Sequence, residues 1–257
     1  MLRASFAAIT ATIAGSTTFA DATWPPENVL LWGRPHIRAY SPTNASAQRL
    51  TLNLGVTTAL DVLWMANTNF TQVTIEGHGT DVWGAPAYTS GLLTIGRSGN
   101  TRYHHAHRPT AANPFARQFV SLNIPAQATT DGDPFFKIGW VWPGLIVSPP
   151  RDIFMEPDEE KMEAREDTKT QDGRLLERLT LDEPTWRFTA KRLAETEAEL
   201  AAWKDIDRRW SEAQGQAALV LMRDAYPEES YVMRQVSASK WRHAKVWSES
   251  DMECLEV

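Results

Sequence analysis

Residues 49–77 read RLTLNLGVTTALDVLWMANTNFTQVTIEG and contain three short apolar segments separated by turn-forming residues. In the first segment, Leu50, Leu52 and Leu54 alternate with polar residues, which is the pattern of a strand with one buried face. The second segment, residues 59–67, is almost continuously apolar, as in a strand buried on both faces. The third returns to alternation and ends at a glycine. This stretch therefore predicts three strands of a layered β-structure.

Further segments of the same kind follow at residues 91–96, 117–124 and 135–144. Proline and glycine interrupt the first 150 residues at intervals of roughly 8–15 residues, a spacing typical of β-sandwiches and barrels. No helical period is evident in this part. We therefore predict an N-terminal β-sandwich over residues 1–150, in a protein that is mainly β and α+β overall.

The N-terminal 22 residues admit two interpretations. Arg3, a small apolar stretch and then Ala20 and Ala22 resemble a secretory signal peptide. The same stretch contains isoleucines and threonines that favour strands, followed by the turn residues Gly15 and Ser16. Because the apolar stretch is rich in Ala and Thr and has no Leu, we expect it to form strand rather than a leader.

The composition changes after residue 150. Residues 1–150 carry 9 basic and 7 acidic side chains, whereas residues 151–257 carry 17 and 25. The acidic run PDEEKMEARED falls within residues 151–173, which begin after two prolines. We predict that this segment is a linker or a docking arm without strands.

Residues 174–257 predict a small α+β module in the order strand, strand, helix and then four strands. The two strands before the helix are expected to pair with each other around residues 182–184. Thr196 and Glu199 form a capping-box pattern at the start of the helix, and Gly215 is its expected stop. Such a module can close as a split β-barrel around one helix.

Whole-chain properties exclude several functions. The net charge is −6 and no basic stripe is present, so nucleic-acid binding has no electrostatic support. The single cysteine, Cys254, rules out an intramolecular disulfide. No apolar run approaches the roughly 20 residues that a membrane span needs, so membrane insertion is not expected.

Three of the six histidines, His104, His105 and His107, lie in the stretch RYHHAHRP at residues 102–109. A catalytic zinc needs three convergent ligands and an open position. In a strand, His105 and His107 would face one side and His104 the other. Because a proline-rich connection follows at once, we expect an exposed surface loop, and we keep a metal hydrolase as a minor hypothesis.

Other chemical motifs are weak. No nucleophile elbow, P-loop or dinucleotide fingerprint occurs, so we predict no catalytic residue, no metal and no cofactor. Asp131 and Asp133 in TTDGDPFF suit either a calcium loop or an ordinary polar turn. Trp140 and Trp142 share one strand face, which is either a sugar-stacking platform or buried core, and the apolar surroundings favour core or interface.

The segments WPPENVL (24–30), IRAY (37–40), QRLTLNLG, LDVLWMANTNF, VTIEG, RQFVSLNI and FFKIGWVWPG together resemble a discoidin-like, galactose-binding-type jelly roll. This version is similar to one at the start of tail proteins of long-tailed bacteriophages. Residues 172–210 and the strand ending LMRDAYPE resemble the split-barrel modules of distal-tail and baseplate proteins.

This resemblance implies a virion structural protein of a phage tail tip. It implies partners: further copies of the chain in a trimeric or hexameric ring, and the tail tube, hub and fibres. It implies no enzymatic activity and a virion location.

The alternative is a carbohydrate-binding module or host-surface adhesin that binds glycan through its loops. The loop residues that suit glycan or subunit contacts are Trp83, Tyr88, Tyr103, His104, His105 and His107.

Overall fold

The structure is a computed structural model of the 257-residue chain. It describes residues 3–5, 8–31, 38–98, 102–148, 154–160, 164–169, 175–181, 185–212, 218–221, 227–228, 230–235, 242–243 and 248–256.

The chain is mainly β, as predicted. In the first 148 residues the strands are β1 (Arg3–Ser5), β2 (Thr12–Ile13), β3 (Ala39–Tyr40), β4 (Gln48–Leu60), β5 (Val62–Thr68), β6 (Gln72–His78), β7 (Tyr88–Thr94), β8 (Arg97–Ser98), β9 (Arg102–His107), β10 (Phe115–Ile124), β11 (Lys137–Ile138) and β12 (Trp140–Gly144), with a 3-10 helix at Pro26–Leu30. The later elements are β13 (Phe154–Glu160), β14 (Ala164–Lys169), β15 (Leu175–Leu181), β16 (Thr185–Ala194), α1 (Glu197–Glu212), β17 (Ala218–Leu221), β18 (Ser230–Gln235), β19 (Arg242–His243) and β20 (Ser248–Glu256).

These elements form two compact units. The first contains residues 1–148 together with 219–231, and the second contains residues 149–218 together with 232–257. Among the described residues, no helix combines the length and the apolar character needed to span a membrane.

The first unit is an antiparallel β-sandwich. One sheet has five strands in the order β2-β4-β10-β6-β7, and the other has four in the order β12-β5-β9-β8. The short strands β11 and β3 pair separately. Because neighbours in each sheet are mostly distant in sequence, the chain crosses repeatedly between sheets, as in a jelly roll.

The core lies between the two sheets and follows the predicted alternation. Leu50, Leu52 and Leu54 of β4 point inward and are at most 6% exposed. The other inward positions are also apolar and include Leu63, Met65, Phe70, Val73, Ile75, Phe115, Val120, Leu122, Ile124, Phe136, Ile138 and Val141. Burial of these side chains, at about 25 cal/mol per Å² of apolar surface, is the main force that holds the sandwich together.

One expected strand differs in detail, and the N-terminal expectation is confirmed. The expected strand 135–144 is divided at Gly139 into β11 and β12. A Cβ at Gly139 would lie 2.8 Å from the Cβ of Asn67, so only glycine permits this close approach. The N-terminal residues do form strands, because β1 pairs with β17 and β2 pairs with β4.

The outer face of the four-stranded sheet is covered by the chain itself. Trp64, Trp140 and Trp142 lie on this face and are 1%, 4% and 4% exposed. The Trp64 Nε1–H donates to Ser230 Oγ at 2.8 Å, and the Trp142 Nε1–H donates to Ser5 Oγ at 3.1 Å. The Trp140–Trp142 pair is therefore buried, which confirms core over sugar-stacking platform.

The second unit contains an antiparallel sheet in the order β18-β20-β16-β13, with β19 beside β20. Two expectations differ here. The acidic segment expected to lack strands contains β13 and β14, and β13 pairs with β16. The strands on either side of residues 182–184 do not pair with each other, because both edges of β16 are occupied by β13 and β20 and β15 pairs with β14. Strand pairing joins backbone N–H and C=O groups, so an acidic composition does not by itself exclude strands.

Helix α1 begins as predicted. The Glu199 N–H donates to Thr196 Oγ1 at 3.2 Å and the Thr196 N–H donates to Glu199 Oε2 at 3.2 Å, which is the capping box. Trp203 is 1% exposed, and the fully buried Arg192 guanidinium pairs with Asp207 at 2.5 Å. The expected stop at Gly215 lies outside the described residues.

Candidate functional site

The outer face of the five-stranded sheet carries polar side chains, in contrast to its apolar inner face. Because side chains alternate along strands, the residues between the core leucines of β4 point outward. Ser121 of β10 is the register partner of both Thr51 in β4 and Glu76 in β6. We call this surface the Trp83 face; its members are Ser16, Arg49, Thr51, Glu76, Asp81, Trp83, Ser121 and Asn123.

Trp83 reaches this face from the connection between β6 and β7, and its ring is held in place by polar contacts. The Nε1–H donates to Ser16 Oγ and to Asp81 Oδ1, both at 2.9 Å. The Ser16 hydroxyl in turn donates to Thr51 Oγ1 at 2.9 Å, which connects the indole to β4. The ring is half-buried, and the adjacent Val82 is 66% exposed.

Arg49 joins Trp83 to the sheet. Its Cζ lies 4.8 Å from the Trp83 ring centroid, a cation–π distance. Its Nη1 donates to Glu76 Oε2 at 2.7 Å and to Ser121 Oγ at 3.0 Å. The Asn123 amide donates to the other Glu76 oxygen at 3.4 Å. Because its hydrogen bonds fix the guanidinium on the sheet, the guanidinium packs against one face of the indole ring and holds that ring in position.

Asp81 completes the network around the indole. Its Oδ2 accepts a hydrogen bond from the Ser16 N–H at 2.9 Å, while its Oδ1 accepts from Trp83. Burial opposes ionisation of Asp81, but the hydrogen bonds from Ser16 and Trp83 and the charge of Arg49 outweigh it and lower the pKa of this carboxyl. Asp81 is therefore a stable carboxylate at neutral pH.

The histidine stretch is a strand, not the expected surface loop. His104 and His105 in β9 are 3% and 5% exposed. The His104 ring stacks on Trp64 at 5.7 Å on the outer side of the four-stranded sheet. Neutral imidazole rings can be buried when they stack on another ring or form a hydrogen bond. The amino-acid composition does not indicate whether such a neighbour is present.

His105 and His107 point to the opposite side of β9 from His104, toward the core. Burial lowers the pKa of both His105 and His107 to about 4, and for His107 the neighbouring His105 adds to the effect. Nδ1 of His105 is buried and has no hydrogen-bond partner among the described residues. Because the three rings do not converge, they cannot share a metal, and no other metal-binding group of three occurs in the described part of the chain.

The two tyrosines expected in binding loops pack inward. Tyr88 is 3% exposed, contacts the Phe115 ring edge-on, and is hydrogen-bonded through its hydroxyl to His107 Nε2 at 2.6 Å. Tyr103 is half-buried against the same core. Of the six predicted residues, Trp83, Tyr103 and His107 are half-buried, and Trp83 is the one that lies on the polar face of the five-stranded sheet.

Asp131 and Asp133 form a polar turn rather than a calcium site. The Lys137 ammonium contacts both carboxylates, at 2.8 Å from Asp131 Oδ2, so the cation between them is the protein's own. The Asp131 Oδ1 also accepts a hydrogen bond from the Asn69 amide at 3.0 Å. Gly132 between them has a φ of +79°, which suits a tight turn.

The sequence analysis did not identify the side chains that contact Trp83 or hold those contacts in place. Arg49 and Glu76 occupy outward positions of amphipathic strands, so the alternation of apolar and polar residues could have placed both side chains on an outer face of the sheet. Their meeting requires β10 to lie between β4 and β6, a pairing order that periodicity does not specify.

The sequence matches no protein-family model and no curated protein. Among solved structures, a GH29 fucosidase from Ruminococcus gnavus is similar at 13% identity with a TM-score of 0.40, over 52% of this chain and 25% of that one. The chain thus spans about a quarter of the fucosidase.

Two shorter structures are covered almost entirely. CBM32-1 from a family 31 glycoside hydrolase of Clostridium perfringens has 9% identity and a TM-score of 0.39, over 52% of this chain and 94% of that module. A chitosan-binding module from a chitosanase/glucanase of Paenibacillus sp. IK-5 has 16% identity and a TM-score of 0.34, over 56% and 98%. These two neighbours are carbohydrate-binding modules.

Proposed function

We propose that the β-sandwich is a carbohydrate-binding module and that the Trp83 face is its binding surface. The observation that carries this proposal is the fixed, partly exposed indole of Trp83, surrounded by carboxylate, guanidinium and hydroxyl groups. Aromatic rings pack against the apolar faces of small ligands, while a few convergent polar groups fix orientation. A ring already held in place avoids part of the ordering cost of binding.

The same face suits binding rather than hydrolysis. A glycosidase needs one carboxyl group whose pKa is raised, so that it can donate a proton. On the Trp83 face, Glu76 is paired with Arg49, and the pKa of Asp81 is lowered rather than raised. We therefore propose recognition without bond cleavage.

The direct test is a glycan array followed by calorimetry on the full chain and the Trp83→Ala variant. We expect Trp83→Ala to weaken binding by more than tenfold, as for a central aromatic contact. Trp24→Ala is the matched control, because Trp24 is also half-buried but packs on Tyr40 away from this face. No binding at millimolar saccharide, or equal loss in both variants, would refute the proposal.

We propose as a second candidate that the whole chain is a structural subunit of a bacteriophage tail tip, in a ring of three or six copies. Support comes from the second unit, where a capped helix follows β16 and further strands follow the helix, as the split-barrel resemblance implies. A tail-tip subunit that also contacts host glycan would combine both proposals.

Immunogold electron microscopy of particles from the producing culture tests this second proposal. Gold at the tail end farthest from the capsid is the expected result. Antigen found only in the soluble fraction would contradict it and leave the carbohydrate proposal unaffected.

A further inference from the structure

The charges of the Trp83 face do not cancel. Arg49 and Glu76 form an ion pair at 2.7 Å, with side chains that are only 18% and 12% exposed. Asp81 is a second carboxylate near the same guanidinium, because the charge of Arg49 also helps to lower its pKa. One cation therefore serves two ionised carboxylates. The charges of Arg49, Glu76 and Asp81 sum to −1. The His78 ring also contacts the indole edge-on, with 6.4 Å between the ring centroids.

Asp81 retains capacity for a ligand. Each of its oxygens accepts one hydrogen bond from the protein, one from the Ser16 N–H and one from the Trp83 Nε1–H. A carboxylate has about four acceptor positions, so about two remain. Asp81 is half-buried at the edge of the ring, so these positions are adjacent to a ligand stacked on the indole.

We infer that the Trp83 face selects saccharides that carry a free ammonium group over neutral ones, and neutral ones over uronic acids. This inference rests on the proposed carbohydrate-binding function. An ammonium offers three donors to the open acceptor positions of Asp81 and is also attracted by the indole π-face. A carboxylate on the ligand would meet the like charge of Asp81 and would be disfavoured.

The test compares three probes of equal length by calorimetry: a glucosamine oligomer, its N-acetylated form and a uronate oligomer. We expect the free amine to bind about two- to fivefold more tightly than the acetylated form at low salt, the range of a partly exposed ion pair. The advantage should disappear in about 1 M salt, where the screening length is about 3 Å.

The Asp81→Asn variant should remove the preference for the amine, while Asp21→Asn is the matched control. Asp21, like Asp81, accepts two N–H hydrogen bonds, here from the backbones of Thr23 and Trp24, so its replacement removes one charge at a comparable turn. The salt dependence of binding by the unmodified protein gives a second measurement. It does not require the variant, so it is unaffected if Asp81→Asn also changes the position of Trp83.

The outcomes separate the two proposals. If none of the three probes binds and the glycan array is blank, the proposed function is wrong. If the acetylated oligomer binds but the amine shows no salt-sensitive advantage, or the uronate binds more tightly, only the charge selectivity is wrong.

Discussion

The two outward faces of the sandwich use tryptophan in opposite ways. On the four-stranded sheet, Trp64, Trp140 and Trp142 are almost fully buried beneath residues from the beginning and the later part of the chain. On the five-stranded sheet, Trp83 lies over polar side chains and remains partly exposed. The same residue type is therefore part of the packed interior on one face and partly exposed on the other, where we propose that it binds a ligand.

The difference lies in what surrounds each ring. The covered face offers neighbouring rings and single hydroxyl acceptors, so burial of the ring dominates its energetics. The open face holds its ring through Arg49 and Asp81, charged groups that are costly to bury completely. A tryptophan count alone does not distinguish these two environments.

The largest expected effect contrasts Trp64→Ala with Trp83→Ala in stability. Removing the fully buried Trp64 should lower the free energy of unfolding by about 3–5 kcal/mol, because a large cavity forms. Removing the half-buried Trp83 should cost about 1 kcal/mol, a typical value for a single substitution. Urea unfolding followed by circular dichroism measures both, and equal losses would remove the distinction between the faces.

The next effect is acid sensitivity, which should arise in the interior rather than on the open face. Burial lowers the pKa of His105 to about 4, from 6.5 in the unfolded chain, so the unfolded state binds more protons between these values. The stabilisation is complete above pH 6.5 and is lost as the pH falls toward 4. Each pKa unit corresponds to about 1.4 kcal/mol. The free energy of unfolding should therefore fall by about 3 kcal/mol through His105 alone as the pH falls from 6.5 to 4.

Urea unfolding at several pH values from 4.5 to 7 tests this expectation. His105→Leu should reduce the slope of stability against pH in that window, because the titrating group is gone. A stability that is level across this range in the unmodified protein would show that these rings are not buried as neutral groups.

The smallest expected effect on stability comes from removing one serine hydroxyl on each face. Ser230→Ala leaves the buried Trp64 Nε1–H without its acceptor and should cost about 1–3 kcal/mol. Ser16→Ala leaves Trp83 Nε1–H still bonded to Asp81 and should cost about 0.5 kcal/mol. Thermal unfolding of the two variants compares them, and a larger loss for Ser16→Ala would reverse our view of the two faces.

Much of the fold was predictable because it depends on near neighbours. The alternation Leu50, Leu52 and Leu54 defines a one-sided strand wherever that strand is placed. The capping box of Thr196 and Glu199 spans four residues and forms as expected. The histidine stretch was predicted as a loop because a proline-rich connection follows it, but burial of its rings depends on partners elsewhere in the chain, such as Trp64.

The candidate site was only partly predictable for the same reason. Trp83 was identifiable as an aromatic residue in a polar connection between two strands. Its partners Arg49 and Ser16 become neighbours only when β2, β4 and the loop after β6 are brought together by sheet pairing.

The sequence by itself determined the β class, the inward apolar positions and the capped helix, because these follow from periodicity and from contacts within a few residues. Tertiary structure alone decided which sheet face is covered. The Trp64–Ser230 bond joins residues 166 positions apart, and the Trp142–Ser5 bond joins residues 137 apart. Contacts over such separations depend on the path of the whole chain, and they leave the face around Trp83 as the one we propose for recognition.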